Sequence, residues 1–104
     1  MKHVVTTTKH STTHTFHEHD YIGHGEVYVE VMCFDWNALV ASVYCADHEG
    51  RDYEMATTLG NYECGKLDMR AALAELAGQL FAQPMTFDGA QAVALLADVA
   101  RTLA

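Results

Sequence analysis

Proline and long apolar runs are nearly absent from this sequence. Pro84 is the single proline among 104 residues, so a proline-rich linker or a collagen-like repeat is excluded. No apolar run approaches the roughly 20 residues that span a bilayer. The opening text MKHVVTTTKHSTTH also lacks the apolar segment of a secretion signal. We therefore expect a cytoplasmic protein that folds as one domain, residues 1–104.

Cysteine is scarce, and its spacing does not suit a metal knuckle or a redox pair. Cys33, Cys45 and Cys64 form no CxxC motif, and an odd number cannot all be paired within one chain. We interpret them as small reduced core residues. Cys64 precedes a predicted helix, a position that can activate a thiol, but the sequence provides no base beside it.

Motifs that would identify a reaction are missing as well. The chain has no GxSxG nucleophile elbow and no glycine-rich phosphate loop. Neither Ser11 nor Ser42 has a catalytic partner at a recognisable spacing. We predict that the protein is not an enzyme and that it uses no cofactor.

Basic residues are few, and the excess of acidic over basic side chains is concentrated in the middle of the chain. The net charge is −8 at pH 7. Residues 25–63 carry −7 of it, because they hold eight carboxylates and one basic side chain, Arg51. Such a segment repels phosphate groups. We therefore expect that the protein binds neither nucleic acid directly nor a membrane surface. It suits a protein partner with a basic surface.

Hydrophobic periodicity predicts a sheet over the first 60 residues. Residues 2–19 are rich in threonine and are typical of one long strand, or of two in line with a break near Ser11. Residues 26–35 alternate, with valines on the face predicted to be the core. Residues 38–46 are apolar on both faces, as in a central strand. Residues 51–58 return as a more polar strand.

Past Gly60 the period becomes that of amphipathic helices. A stripe of leucines predicts a first helix over about residues 67–82, which Pro84 prevents from continuing. Asp88 and Gln91 have the spacing of a capping box, so a second helix is expected from there onward. The expected fold class is α+β, an antiparallel β-meander of about four strands followed by two helices packed on one face. The predicted inward helix residues are Met69, Leu73, Leu76, Leu80, Val93, Leu96, Val99, Ala100 and Leu103.

Aromatic side chains share the predicted outer face of the meander with its carboxylates. An acidic rim around aromatic residues is typical of a contact surface, since aromatics are enriched at interface cores. The same pattern also fits a solvated face, or a second small core beneath the N-terminal segment. The predicted partner-binding residues are Glu26, Glu30, Asp47, Glu49, Asp52, Glu54, Tyr28, Phe34 and Trp36.

Six of the seven histidines lie in the first 24 residues. His17 and His19 are two apart, which on a strand places them on one side, and His24 follows as a third candidate ligand for a divalent metal. The text HEHDYIGH departs from the HxHxDH motif of metallo-β-lactamase-like hydrolases, because the aspartate directly follows the second histidine. A histidine-based metal site therefore stays an alternative, beside histidines that are only solvated or hydrogen-bonded.

Small size, acidity and a β-then-α layout together suggest a class of function. In these respects the chain resembles the proteins with which phages inhibit bacterial defence complexes, such as anti-CRISPR and DNA-mimic anti-restriction proteins, although no motif is shared. The resemblance implies an inhibitor whose acidic meander occupies a basic, nucleic-acid-binding surface of a partner protein. The alternatives are a divalent-metal-binding protein and an immunity or chaperone-like protein for a basic toxin or effector.

Overall fold

The strands form one antiparallel sheet whose order follows the chain. The computed structural model describes residues 1–19, 26–46, 51–60 and 65–103. The strands are β1 (Lys2–Thr7), β2 (Ser11–His17), β3 (Val27–Phe34), β4 (Ala38–Ala46) and β5 (Asp52–Gly60). Each strand pairs with the next, and helices α1 (Lys66–Phe81) and α2 (Phe87–Thr102) follow. The predicted α+β meander with two helices is confirmed, with five strands in place of about four.

The additional strand arises because the N-terminal segment folds back on itself. β1 and β2 form an antiparallel hairpin along their whole length. In its turn the Thr8 N–H donates to the Ser11 carbonyl over 2.8 Å, and the two hydroxyl groups lie 2.8 Å apart. Hydroxyl side chains stabilise this turn where neither glycine nor proline marks it. The prediction of one long strand, or of two in line, is therefore wrong.

The core lies between one face of the sheet and the helix pair. Helix α1 packs over β4 and β5, and α2 packs over β3. The leucine stripe of α1 is buried as predicted, and Ala92 and Leu95 add to the buried face of α2. The buried strand residues that meet the helices are Phe16, Val27, Val29, Val31, Leu39, Ala41, Val43, Cys45 and Ala56.

Helix α2 begins earlier than its predicted cap. Thr86 is the N-cap, and its hydroxyl oxygen accepts a hydrogen bond from the Gly89 N–H at 3.0 Å. Asp88 therefore lies in the first turn, where its carboxylate accepts a hydrogen bond from the Tyr53 hydroxyl at 3.3 Å. The prediction of Asp88 as the cap is wrong because the helix already begins at Phe87, where the Thr86 side chain satisfies the Gly89 N–H.

The helix pair covers only part of the sheet. On the helix side, the β1 residues His3, Val5 and Thr7 are exposed, and Val5 is 52% accessible. The opposite face of all five strands has no helix over it in the described part of the chain. Neither of the described helices has both the length and the apolar character needed to cross a membrane.

Two leucines test whether the core beneath α1 carries the fold. Leu76 is fully buried, whereas Leu59 on β5 is 74% exposed. We expect Leu76→Ala to lower the free energy of unfolding by about 2–5 kcal/mol, because the lost contacts leave a cavity. The matched control Leu59→Ala should change it by less than about 0.5 kcal/mol. Urea denaturation followed by circular dichroism measures both, and equal losses would contradict this assignment of the core.

Candidate functional site

The sheet face that points away from the helices is called the open face. The strand register arranges its side chains in cross-strand rows. At one end the row is Lys2, His17, Tyr28, Tyr44 and Glu54. A middle row contains Val4, Thr15, Glu30, Ser42 and Thr57. Toward the other end the row is Thr6, Thr13, Met32, Val40 and Leu59.

One end of the open face combines carboxylates with stacked phenol rings. The rings of Tyr28 and Tyr44 stack with centroids 5.2 Å apart. The Tyr28 hydroxyl donates to the Asp52 carboxylate over 2.6 Å. Glu54 lies opposite Tyr44 on the neighbouring strand, and Glu30 is in the adjoining row. Three of the predicted contact carboxylates therefore share one face with Tyr28.

The Tyr28 phenol acts as a fixed donor at this end. Burial, and secondarily the Asp52 carboxylate, raise the pKa of Tyr28 well above its ordinary value. The hydroxyl therefore stays protonated at physiological pH and continues to donate to Asp52. Asp52 is itself exposed, so this bond orients a carboxylate at the rim while leaving it accessible to a partner.

The other end of the open face is apolar. Phe34 and Trp36 stack with centroids 4.6 Å apart, and Trp36 is 62% exposed. Asn37 completes the turn with a φ of 59°, a left-handed conformation that asparagine adopts more readily than most residues. The row of Met32 and its neighbours adjoins this pair. The aromatic pair Phe34 and Trp36 thus lies toward one end of the open face, and the carboxylates near Tyr28 lie toward the other.

Glu26 does not belong to the accessible part of the open face. Its exposed fraction is 5%, and its Oε2 lies 3.5 Å from the Nδ1 of the equally buried His17. Alternation predicted Glu26 to be exposed because the period of two extends to it. Its burial beside the end of β2 is a tertiary contact that alternation does not show. The expectation that Glu26 is exposed is therefore wrong, and its role as a partner contact stays a prediction.

Several predicted site residues lie outside the described part of the chain. Asp47 and Glu49, in the predicted hairpin tip, are among them, and so are His24 and Cys64. The roles predicted for these residues stay predictions.

The two described histidines predicted as metal ligands, His17 and His19, contact different side chains. β2 ends at His17, whose ring packs against Tyr28 with centroids 5.5 Å apart. His19 lies beyond the strand, is exposed, and places its Nε2 3.6 Å from the Glu18 carboxylate. Within the described ranges, no three or more His, Cys, Asp or Glu side chains are arranged to hold a metal ion. Because β2 ends at His17, the strand alternation on which the same-side expectation rested does not extend to His19.

One histidine contact connects the β1–β2 turn to the β3–β4 turn. The Nδ1 of His10 lies 2.8 Å from the Asp35 carboxylate, and the Asp35 N–H donates to the His10 carbonyl over 3.0 Å. Both side chains are more than half exposed, so the pair itself contributes little stability. Sequence reasoning missed it because the partners are 25 residues apart.

A second histidine contact lies on the helix side of the hairpin. The Nε2 of His3 and the Nδ1 of His14 are 3.0 Å apart, so one nitrogen donates and the other accepts. The His3 ring also stacks on the buried Phe16, with centroids 4.2 Å apart. Burial, and secondarily the charge of His3, lower the pKa of His14. The only sequence signal for this pair is the local density of histidine.

The helices form an apolar groove on their outer side. Its volume is about 650 Å³, and half of the residues that line it are alanines. Phe81, at the end of α1, is 65% exposed at this groove, and Arg70 is its one charged lining residue. Alanine at these positions leaves the space between the two helices open, because a methyl group fills little of it.

The open face therefore presents carboxylates and phenols toward one end and apolar side chains toward the other. This combination suits recognition of a surface that is cationic and partly apolar. Comparisons with models of known protein families, with curated proteins and with solved structures gave no match for this chain.

Acid sensitivity tests the His3–His14 contact. Because the folded pKa of His14 is lowered, folding favours its neutral form. The resulting stability is present above the unfolded pKa of about 6.5 and is lost as the pH falls below it. We expect His14→Gln to show a smaller fall in melting temperature between pH 7.5 and 5.5 than the wild type. His19→Gln, at an exposed position, is the control and should follow the wild type. If the melting temperature of His14→Gln falls as much as that of the wild type, the lowered pKa of His14 is contradicted.

Proposed function

We propose that this protein is a small acidic interaction protein whose open face binds a basic surface of a partner protein. The observation that carries the proposal is the grouping of Glu30, Asp52 and Glu54 with two stacked tyrosines on a sheet face that neither described helix covers. The opposite face of β3–β5 is occupied by the core, so the open face is the broad side of the sheet available to a partner.

Charge identifies the kind of surface that this face fits. A concentrated set of carboxylates speeds the encounter with a cationic surface and sets its orientation. Strongly cationic protein surfaces commonly serve to neutralise nucleic-acid phosphates. We therefore propose that the partner is a nucleic-acid-binding protein and that this chain inhibits it by occupying that surface. In this it would act as anti-CRISPR or DNA-mimic anti-defence proteins of phages do.

The apolar end of the face adds affinity that charge alone does not provide. Burial of apolar surface contributes roughly 25 cal/mol per Å². An exposed Trp36 stacked on Phe34 has the character of an interface anchor, because large aromatic side chains account for much of the energy at protein contacts. The carboxylates would then set orientation and the aromatic pair would lower the rate of dissociation.

A pair of double variants tests the location of the binding face. Glu30→Gln with Glu54→Gln removes two charges from the open face, and Glu75→Gln with Asp98→Asn removes two from the helices. The net charge of both double variants is the same. Affinity capture from a bacterial lysate identifies a partner, and titration of that purified partner follows. We expect at least about a tenfold weaker affinity for the open-face variant and little change for the helix variant. Equal effects of the two variants would sink the proposal.

Competition tests the nature of the partner surface. If this chain occupies a nucleic-acid-binding surface, a duplex DNA or an RNA oligonucleotide that the partner binds should displace it from the captured complex. Persistence of the complex at saturating oligonucleotide would instead favour an immunity or chaperone-like role toward a basic toxin or effector. Binding should also weaken with added salt, because the contact depends on opposite charges.

A further inference from the structure

We propose that a second copy of this chain pairs with β1 edge to edge, which joins two five-stranded sheets into one continuous antiparallel sheet. The proposal rests on the hydrogen-bonding pattern and charge of the β1 edge, and it is independent of the function proposed for the open face.

The backbone of β1 has open hydrogen-bonding groups along its outer side. The Thr8 N–H donates to the Ser11 carbonyl, which fixes the bonded positions of the hairpin. Bonded and non-bonded positions alternate along an antiparallel pair. The N–H and C=O groups of His3, Val5 and Thr7 therefore point away from β2. They form a row that another extended strand can bond.

The other edge of the sheet is protected, and this contrast singles out β1. The Gln79 side chain of α1 donates to the Thr57 carbonyl over 2.7 Å and accepts from the Thr57 N–H at 3.2 Å. Gln83 lies 3.5 Å from the Met55 carbonyl on the same edge. Across the described ranges, no side chain bonds the outer backbone of β1 in this way. β1 also has no proline, glycine or bulge, the devices that commonly block edge pairing.

Charge favours a second copy of the chain as the occupant of this edge. Two molecules that each carry a net charge of −8 repel one another over most of their surfaces. Residues 1–17, which contain both strands of the hairpin, include no carboxylate at all. Two copies can therefore approach through their β1 edges with the least repulsion. A twofold axis makes the same edge complementary to itself.

Symmetry restricts the register of this pairing. A twofold axis perpendicular to the sheet keeps every side chain on its own face, so residues of the same face must lie opposite each other. A register centred on Val5 places it opposite Val5 of the second copy, and His3 opposite Thr7. Lys2 then faces Thr8, so no like-charged side chains of β1 are opposed. The half-exposed Val5 gains a β-branched neighbour across the strands.

The Val5 backbone provides the first test. Val5→Pro removes an N–H that points outward, while the neighbouring N–H groups that bond β2 are retained. Val5→Thr, which keeps the N–H and the β-branched shape, is the matched control. We expect the wild type and Val5→Thr to show twice the 11.5 kDa chain mass by size exclusion with light scattering, and Val5→Pro to show the single mass. A wild type that remains monomeric over a hundredfold range of concentration would overturn the proposal.

A charge exchange at the same position tests the register and does not depend on tolerance of proline. Val5→Lys and Val5→Glu should each be monomeric, because like charges lie opposite each other at the twofold axis. Mixing the two variants should restore a dimer that contains one of each, detected by native mass spectrometry. A dimer that persists in both single variants would place the contact on another surface. Glu30→Gln with Glu54→Gln should remain dimeric, which separates this proposal from the open-face one.

Discussion

The fold depends on burial of one face of β3 and β4 beneath the helix pair. Valines at alternate positions of β3 and the apolar residues of β4 meet leucines from α1 and α2, and all of these side chains are almost fully buried. Each buried side chain of this size contributes roughly 1.5–3 kcal/mol relative to an exposed one. This single apolar layer fixes the direction in which every other side chain of the sheet must point.

The open face follows from that constraint. Since side chains alternate along a strand, directing the valines of β3 inward directs Tyr28, Glu30, Met32 and Phe34 outward. Antiparallel pairing then aligns these residues with those of β4 and β5, so that Glu54 lies beside Tyr44. Carboxylates distant in sequence become neighbours because the register places them there.

The same constraint explains the unequal edges of the sheet. Helix α1 lies over β4 and β5, which brings Gln79 within reach of the outer backbone of β5. In the described part of the chain, the two helices of 16 residues each do not extend over β1, whose helix-side residues His3, Val5 and Thr7 are exposed. A small core thus protects one edge and leaves the other open to pairing.

Local patterns in the sequence determined the class of this fold. The period of two in β3, the apolar run of β4 and the leucine stripe of α1 each predicted an element and its buried face, because periodicity directly reflects which side is buried. The localisation of negative charge was equally visible. Only the tertiary structure decided that the N-terminal segment is a hairpin, that Glu26 is buried beside His17, and that His3 meets His14. Each of these depends on strand register, which turn geometry sets within a hairpin and the packing of the sheet sets between separate segments, and neither is shown by local periodicity.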